Sequence, residues 1–307
     1  MGTIISVIET ALPVFLALAM GMWCRSKNFL SRDGVDMLKK VAINLTLPFV
    51  LFSSFATAEY TVSSLILPIV VFLICTAMLG LGFVIIRVSK MNSRLAPFLA
   101  SGFEAGMLGF ALFALLFPNE SASKFAMLVL GQEIFVFTLY KMLLTKKTSL
   151  KAIIQDFLTS PTLIAVVLGI IVGATGLYGK LGQWGVAGIV TSVTSFISAP
   201  TGMIILLAVG YDLVIKEIPW KQTTGLIAMR LGVAGVMLGV LVLLNRTILG
   251  GIAFEGAAVL LFILPPPYII PIFSDEPTER VQISSALSAL TVVTMVLFAL
   301  FSIVLSV

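Results

Sequence analysis

Charge and histidine are both scarce in this sequence, and each shortage excludes a class of protein. Of the 307 residues, 59% are apolar, only 11% are charged and none is histidine. Soluble domains carry about a quarter charged residues, so a chain of this composition is expected to be an integral membrane protein. The absence of histidine excludes a histidine proton relay and removes a common ligand of transition metals. We therefore predict no cofactor and no metal site.

The sequence also lacks a long polar segment that could fold as a soluble catalytic or sensory domain. An enzyme inside the membrane would need a catalytic set at depth, such as paired aspartates or serine with histidine, and the chain offers neither. Cys24 and Cys75 have no CxxC spacing and are predicted to be inert thiols. The net charge of +5 requires no nucleic-acid partner, because the basic residues gather between apolar segments. These features predict a membrane protein that is not an enzyme.

Apolar runs of about 20 residues, each long enough to span the hydrocarbon, recur along the whole chain. Lys and Arg concentrate in the odd-numbered connections between them, such as the one from Arg25 to Lys40. The positive-inside rule then places these connections in the cytoplasm and both termini outside a multi-pass protein of the cell membrane. We predict ten spans, at residues 3–24, 39–56, 62–87, 95–117, 124–145, 159–178, 187–213, 222–244, 250–273 and 282–306.

The two halves of the chain share a pattern that indicates an internal repeat. The segments 13–21 in span 1 and 161–169 in span 6 both read P-x3-A-x3-G, and Pro48 in span 2 has a counterpart in Pro200 of span 7. Because five spans is an odd number, the second copy would enter the membrane the other way up, as an inverted repeat. The predicted domains are a first repeat, a cytoplasmic connector and a second repeat, at residues 1–145, 146–158 and 159–307.

Two stretches near the middle of spans 4 and 9 break the rules of helix formation. Pro265, Pro266 and Pro267 follow one another in span 9, and each removes a donor and pushes the residue before it out of the helix. In span 4, glycines at 102, 106 and 109 permit unwinding and close backbone approach. Broken helices at membrane depth persist only inside protein or beside a polar cavity, and a pair of them points to a carrier's binding site. The alternative is a pair of kinked packing helices.

Three charged residues fall within spans, where charge is costly and usually functional. Glu104 lies in the span 4 break, Glu133 near the middle of span 5 and Arg230 within span 8. Burial away from water favours the neutral form of a carboxyl group, so either glutamate could carry a proton reversibly. We predict that these three residues couple transport to H⁺ or Na⁺. The alternative is a structural ion pair between Arg230 and one of the glutamates.

The substrate is expected where the two breaks cross, with positive half-helix ends facing an anion and free carbonyls facing a cation. One helical face of span 10 carries Ser284, Ser288 and Thr291, which would either line a cavity or allow close helix packing. The predicted substrate-binding residues are those of the two breaks with one amide of span 2: Asn44, Glu104, Gly106, Gly109, Pro265, Pro266, Pro267 and Tyr268.

At these residues the chain resembles the auxin efflux carrier family, which includes bacterial dicarboxylate permeases and the plant PIN exporters. Residues 44–52 are similar to the family's N-x3-P-x3-F in span 2, and Ala199-Pro200 leading to Gly210 is similar to its span 7. Residues 104–111 resemble its span 4 motif N-T-G-F-x-G-x-P, and the proline cluster resembles its span 9 crossover. Two departures stand out, since Glu104 replaces the family's asparagine and Ala111 replaces its proline.

The resemblance implies an all-α membrane protein with ten helices in two inverted five-helix repeats and broken helices 4 and 9, similar to NhaA and the bile-acid symporters. It implies a scaffold of helices 1, 2, 6 and 7, a moving transport unit of helices 3, 4, 5, 8, 9 and 10, carboxylate substrates and homodimers. Glu104 would repel such a substrate, so it must be protonated, paired with a cation such as Arg230, or coordinating Na⁺ when an anion binds. Otherwise the substrate is not an anion.

The resulting hypothesis is an alternating-access carrier that moves a small organic acid anion, either as a permease or as an efflux carrier. Its partners would be that substrate, the lipid bilayer and a second copy of the chain. One alternative is a carrier of a neutral or cationic solute with Glu104 as the binding or coupling carboxylate. Another is a non-transporting membrane sensor or a channel, and a channel would show a continuous pore instead of two crossed breaks.

Overall fold

The computed structural model describes residues 2–58, 60–91, 93–145, 159–213, 220–273 and 276–306. Every regular element within these ranges is helical. The predicted connector at 146–158 lies outside the described residues. An all-helical chain is what the long apolar runs predict, because a backbone in lipid must satisfy its own hydrogen bonds.

The first half of the chain has long helices before and after one interrupted stretch. Ser31 caps the second helix, with its hydroxyl accepting a hydrogen bond from the Gly34 amide at 3.0 Å. The helices are α1 (Gly2–Ser26), α2 (Arg32–Val41), α3 (Leu47–Ala56), α4 (Val62–Val88), α5 (Phe110–Leu116), α6 (Ala122–Phe135) and α7 (Lys141–Thr145). Wider π-helical turns occupy Ala42–Thr46, Ala105–Gly109 and Val136–Tyr140, and a 3₁₀ helix occupies Ala96–Ala100. The stretch 101–104 therefore interrupts the chain where span 4 was expected.

The second half follows the same plan. Its helices are α8 (Pro161–Ala174), α9 (Leu177–Gln183), α10 (Ala187–Ser198), α11 (Thr201–Asp212), α12 (Trp220–Thr247), α13 (Glu255–Ile263) and α14 (Pro277–Ser306), with a 3₁₀ helix at Ile270–Phe273. Helix α8 begins with Pro161 behind the Ser160 cap, a position that needs no amide donor. Leu264 adopts an extended conformation, and residues 264–269 interrupt the chain at the proline cluster. Both interruptions lie where the sequence predicts them.

Five helices of the described residues are long and apolar enough to cross a membrane by themselves. They are Leu65–Val88, Ala122–Leu144, Ala187–Asp212, Thr223–Thr247 and Pro277–Leu305. Helices α8 and α9 make a sixth if the bend of 67° between them lies within one span. The helices on either side of the two interruptions are individually too short to cross a membrane by themselves. Ten spans in two inverted repeats therefore remain a prediction, while an all-helical membrane protein is confirmed.

Close glycine contacts join helices of the two halves at two places. A Cβ atom added at Gly21 of α1 would collide with the carbonyl oxygen of Leu207 in α11, and one added at Gly210 would collide with that of Leu18. Gly169 of α8 packs in the same way against α3, where an added Cβ would lie 2.8 Å from the carbonyl oxygen of Phe52. Glycine thus lets the helix backbones approach closely and make extensive van der Waals contacts, which drive helix association in lipid.

Gly21→Ala is expected to destabilise the protein by about 1–3 kcal/mol, because the new methyl group meets rigid backbone rather than a flexible side chain. Gly80→Ala in α4 is the matched control, since nothing lies within 4 Å of its added Cβ. Thermal melting in detergent measures both variants. Equal melting temperatures for Gly21→Ala and Gly80→Ala would contradict the close contact between α1 and α11.

Candidate functional site

The two interruptions touch each other through backbone and side-chain hydrogen bonds. The Glu104 amide donates to the carbonyl oxygen of Pro265 at 2.8 Å. The Tyr268 amide donates to carboxylate oxygen Oε2 of Glu104, also at 2.8 Å. Each break thereby supplies hydrogen-bond partners for backbone groups that the interrupted helix of the other leaves unsatisfied. Such groups need a protein partner because no water is present at the middle of a membrane. The crossing is a bonded unit in which Glu104 contributes both its backbone and its side chain.

Gly102 makes this close approach possible. Its φ of +72° lies in the left-handed region, which residues with a Cβ atom rarely adopt. An added Cβ would also lie 2.9 Å from Cγ of Pro267. The proline ring therefore packs directly on the glycine backbone, and a rigid break in one half fits a flexible break in the other.

Arg230 of α12 ties the carbonyl ends of both breaks together. Its Nη1 donates to the carbonyl oxygen of Ala100 at 3.0 Å, and its Nη2 donates to that of Leu264 at 2.9 Å. The guanidinium also lies 4.8 Å from the ring centroid of Phe103, and the residue is only 1% exposed. Arg230 thus bonds to carbonyl groups rather than to a carboxylate, which differs from the ion pair considered from sequence.

Gln132 and Glu133 of α6 lie beside the span 4 break. The Gln132 amide nitrogen donates to the carbonyl oxygen of Phe103 and to Oε1 of Glu133, both at 3.1 Å. Gln132 is 1% exposed, and within the described part of the chain its Oε1 accepts no hydrogen bond. Glu133 is half-buried and close enough to Glu104 for the two carboxylates to repel each other. The crossing therefore has two carboxyl groups and one buried guanidinium.

A cavity of about 470 Å³ reaches the crossing from one side. Tyr268 forms its inner end, and the tyrosine hydroxyl is 3.0 Å from Oγ1 of Thr291. Ser284, Ser288 and Thr291 of α14 line the wall, so this polar face borders open space as one of the two sequence interpretations proposed. Such a mixture of apolar wall and few polar groups is typical of small-molecule sites.

Charged residues surround the outer end of this cavity. Asp212 accepts from Nη1 of Arg32 at 2.6 Å and from Nζ of Lys39 at 2.5 Å. Both basic side chains also approach Asp36, at 3.5 Å from Arg32 and 3.3 Å from Lys39. The mouth therefore holds an ion-pair network of two cations and two carboxylates, which joins α2 to the end of α11.

A second cavity of about 480 Å³ lies against the span 4 break, and its walls are mainly apolar. Gly106, Phe110 and Ala111 form one side of it. Residues of α1, α3, α10 and α11 form the other: Pro13, Ala17, Leu47, Val50, Ser198, Thr201, Gly202, Met203, Ile205 and Leu206. Each break thus borders a cavity, and the two cavities have different polarity.

Comparison with known proteins adds the family to this geometry. Residues 6–156 match the family described as membrane transport protein. The matched half of the chain belongs to the auxin efflux carrier, PIN-like family of membrane transporters. This confirms the resemblance drawn from the motifs, and the family is one of transporters rather than enzymes. No curated protein matches the sequence significantly.

Most of the predicted site residues of this transporter lie together. Glu104, Pro265 and Tyr268 are joined by hydrogen bonds, Pro267 packs on the span 4 break, and Pro266 is buried with them. An added Cβ at Gly109 would meet the side chains of Leu264 and Phe125, while one at Gly106 would make only an ordinary contact with Leu47.

Asn44 lies apart from this group. Its side chain is exposed, and its Nδ2 donates to the carbonyl oxygen of Lys40 one turn earlier at 3.1 Å. Asn44 lines neither of the two cavities described above. The nearby Thr46 takes the inward position, where its hydroxyl accepts from Oγ1 of Thr201 at 2.7 Å.

Gln132 and the charged mouth were not among the residues chosen from sequence. Gln132 differs from other polar residues of helices only by its depth, which a single sequence does not reveal. Arg32 and Lys39 look like ordinary basic residues at a span end, and Asp212 like a solvated acid. The signal that could have found them is complementary charge at the ends of spans 2 and 7, which the predicted repeat would make equivalent to each other.

Proposed function

We propose that this chain is a secondary active transporter that moves a small organic acid anion by alternating access. The substrate would bind where the polar cavity meets the crossing, against Tyr268 and the hydroxyl groups of α14. The observation that carries the proposal is the cavity itself, which runs from the ion-paired Arg32, Lys39 and Asp212 at its mouth to a bonded pair of helix breaks. A cavity that offers basic side chains at its mouth and a backbone donor at its inner end suits a carboxylate.

Alternating access requires a scaffold and a moving unit, and the cavity walls divide in that way. Lys39 and Asp212 belong to the proposed scaffold spans 2 and 7, and Arg32 lies in the connection just before span 2. Tyr268 and the serines of α14 belong to the proposed transport helices 9 and 10. A motion of one group of helices against the other would open and close the cavity while the crossing stays intact.

The proposed inverted repeat of 1–145 and 159–307 draws support from equivalent contacts. Gly21 of helix 1 packs on helix 7, and Gly169 of helix 6 packs on helix 2, as a two-fold relation between the halves requires. The bond between Thr46 and Thr201 joins helices 2 and 7 beside Pro48 and Pro200. By the distribution of basic residues, the polar cavity would open to the cytoplasm and both termini would lie outside. A homodimer through the scaffold helices remains a prediction.

A second candidate is a carrier of a neutral or cationic solute. The observation that favours it is the carboxylate of Glu104, which already occupies the Tyr268 amide at the inner end of the cavity. In either case Glu104, Glu133 and Arg230 are the proposed coupling residues, with H⁺ or Na⁺ as the coupled ion. The two candidates differ in the charge of the solute that accumulates in liposomes.

Ser288→Phe is expected to reduce uptake of the substrate anion by about tenfold or more, because the ring fills the cavity between α14 and helix 7. The measurement is uptake of radiolabelled benzoate, acetate and succinate into liposomes that contain the purified protein. Val296→Phe on the same helix is the control, since Val296 is 54% exposed. Accumulation of none of the anions by the unmodified protein, or full uptake by Ser288→Phe, would refute the proposed site.

A further inference from the structure

We propose that the carboxylate of Glu104 occupies the anion position of the crossing when no substrate is bound. When Glu104 takes up a proton, a substrate carboxylate replaces it as the acceptor of the Tyr268 amide. The transporter would then be a proton–carboxylate symporter that carries one proton with each carboxylate group bound. This inference rests on the proposed function and names the coupled ion and the exchange that links it to the substrate.

The geometry separates a fixed part of Glu104 from a movable part. The backbone amide of Glu104 is held by the carbonyl oxygen of Pro265, so the backbone keeps its place in the crossing. The carboxylate is held by the Tyr268 amide, and the side chain is only half-buried. Rotation of the side chain alone would free the amide, with no change in the contact between the breaks.

Tyr268 connects this amide to the cavity. The residue lines the same cavity as Arg32 and Lys39. A charge-assisted hydrogen bond from a backbone N–H to a carboxylate is stronger than one to a neutral acceptor. A substrate carboxylate cannot compete while Glu104 is ionised, because the two anions would repel each other in the same place. It competes well once Glu104 is neutral.

Arg230 does not serve as the direct ligand of either carboxylate. Its two terminal nitrogens are engaged with the carbonyl oxygens of Ala100 and Leu264, and Phe103 covers its plane. It is therefore a fixed internal cation, and its charge favours one negative charge nearby. In the resting state Glu104 provides that charge, and in the loaded state the substrate provides it.

The other titratable groups around Glu104 are compatible with this exchange. Glu133 of α6 lies close enough to Glu104 for the two carboxyl groups to interact electrostatically. Tyr140 and Tyr268 also interact electrostatically with Glu104. Arg230 opposes proton uptake but equally attracts the incoming carboxylate. Among the described residues, Glu104 is the carboxyl group that accepts the hydrogen bond of the Tyr268 amide.

The cycle balances in protons and charge. A proton from water in the cavity bonds to a carboxylate oxygen of Glu104. The Tyr268 amide then donates its hydrogen bond to the substrate carboxylate instead of to Glu104. When the substrate leaves on the other side, Glu104 returns its proton to the water there and binds the amide again. The crossing carries the same net charge when empty and when loaded, so its movement adds no cost of burying extra charge. Transport of a monocarboxylate would be electroneutral.

The test is the pH dependence of benzoate binding to the full-length protein in detergent, measured by calorimetry between about pH 5 and 8, where benzoate stays ionised. The apparent dissociation constant should rise by about tenfold per pH unit above the titration of Glu104, as one linked proton requires. Glu104→Gln mimics the protonated form and should bind benzoate equally well at every pH. The expected constant is that of the unmodified protein at low pH.

The controls separate this role from a structural one. Glutamine can accept the same Tyr268 hydrogen bond, so Glu104→Gln should keep the elution profile and melting temperature of the unmodified protein. Glu120→Gln is the matched control, because the Glu120 carboxylate pairs with Lys124 next to α6 and away from the crossing. It should retain the full pH dependence of binding.

The same pH slope in the unmodified protein and Glu104→Gln would overturn the inference, and so would the absence of benzoate binding at about pH 5. Liposome uptake then distinguishes the two proposals. Proton-linked binding without uptake would refute the transport function and leave the displacement standing. Uptake driven by Na⁺, with binding that ignores pH, would refute the displacement and leave the transport function standing.

Discussion

Arg230→Met is expected to lower the free energy of unfolding by about 3–5 kcal/mol and to abolish transport. Methionine fills much of the same space, but it leaves the carbonyl oxygens of Ala100 and Leu264 without their donors. Each carbonyl would then lie buried and unsatisfied where no water can reach it. The packing of the guanidinium on Phe103 would also be lost. Both breaks depend on this side chain, so both should loosen together.

The free cysteines of the protein provide the measurement. Cys24 and Cys75 are both buried, so a thiol-reactive dye should label them only as the protein unfolds. The melting curve of Arg230→Met should shift to clearly lower temperature. Arg230→Lys should fall between the two, because lysine keeps the charge but cannot bridge two carbonyls with a planar fork. Arg246→Met, at an exposed ion pair with Glu255, is the control and should melt like the unmodified protein.

Gly102→Ala is expected to destabilise the protein by about 2–4 kcal/mol, because it combines a left-handed backbone with a steric collision. The φ of +72° disfavours any residue with a Cβ, and that atom would press on the ring of Pro267. The ring belongs to the proline cluster and cannot rotate away. The two breaks would have to separate to relieve the collision. The hydrogen bonds that Glu104 makes to Pro265 and Tyr268 would then be lost.

Gly106→Ala is the matched control for stability, four residues further along the same break. Its added Cβ would lie 3.7 Å from Cδ2 of Leu47, which is ordinary contact, and its backbone is helical. Alanine is the better helix former, so this variant should melt at the same temperature or higher. The dye assay compares the pair directly. A melting temperature for Gly102→Ala equal to that of Gly106→Ala would show that the crossing tolerates separation.

The positions of the breaks could be predicted because they depend on local backbone chemistry. Three successive prolines cannot form a helix, and glycines at 102, 106 and 109 weaken one, whatever surrounds them. The roles of the charged residues could not be predicted in the same way. An arginine within a span suggests a carboxylate partner, but Arg230 bonds to carbonyl groups that only become available once the helices break.

Asn44 shows the same limit for a motif. Its place near the start of predicted span 2 gives no indication of which side of the helix faces the cavities. The π-helical turn at Ala42–Thr46 shifts the direction of the side chains by part of a turn and brings Thr46 inward instead. An insertion of this kind has no reliable signature in a single sequence.

The proline cluster has a further consequence for the crossing. Pro265, Pro266 and Pro267 contribute three carbonyl oxygens and no amide hydrogen, so the crossing contains more acceptors than donors. A surplus of acceptors in a dry interior must be met by donors from elsewhere, and Arg230 supplies one from α12 to the carbonyl oxygen of Leu264, directly before the cluster. The proline cluster and Arg230 therefore depend on each other in the crossing. In any related chain that has lost this arginine, we expect either fewer prolines at the break or a new cationic side chain within reach of it.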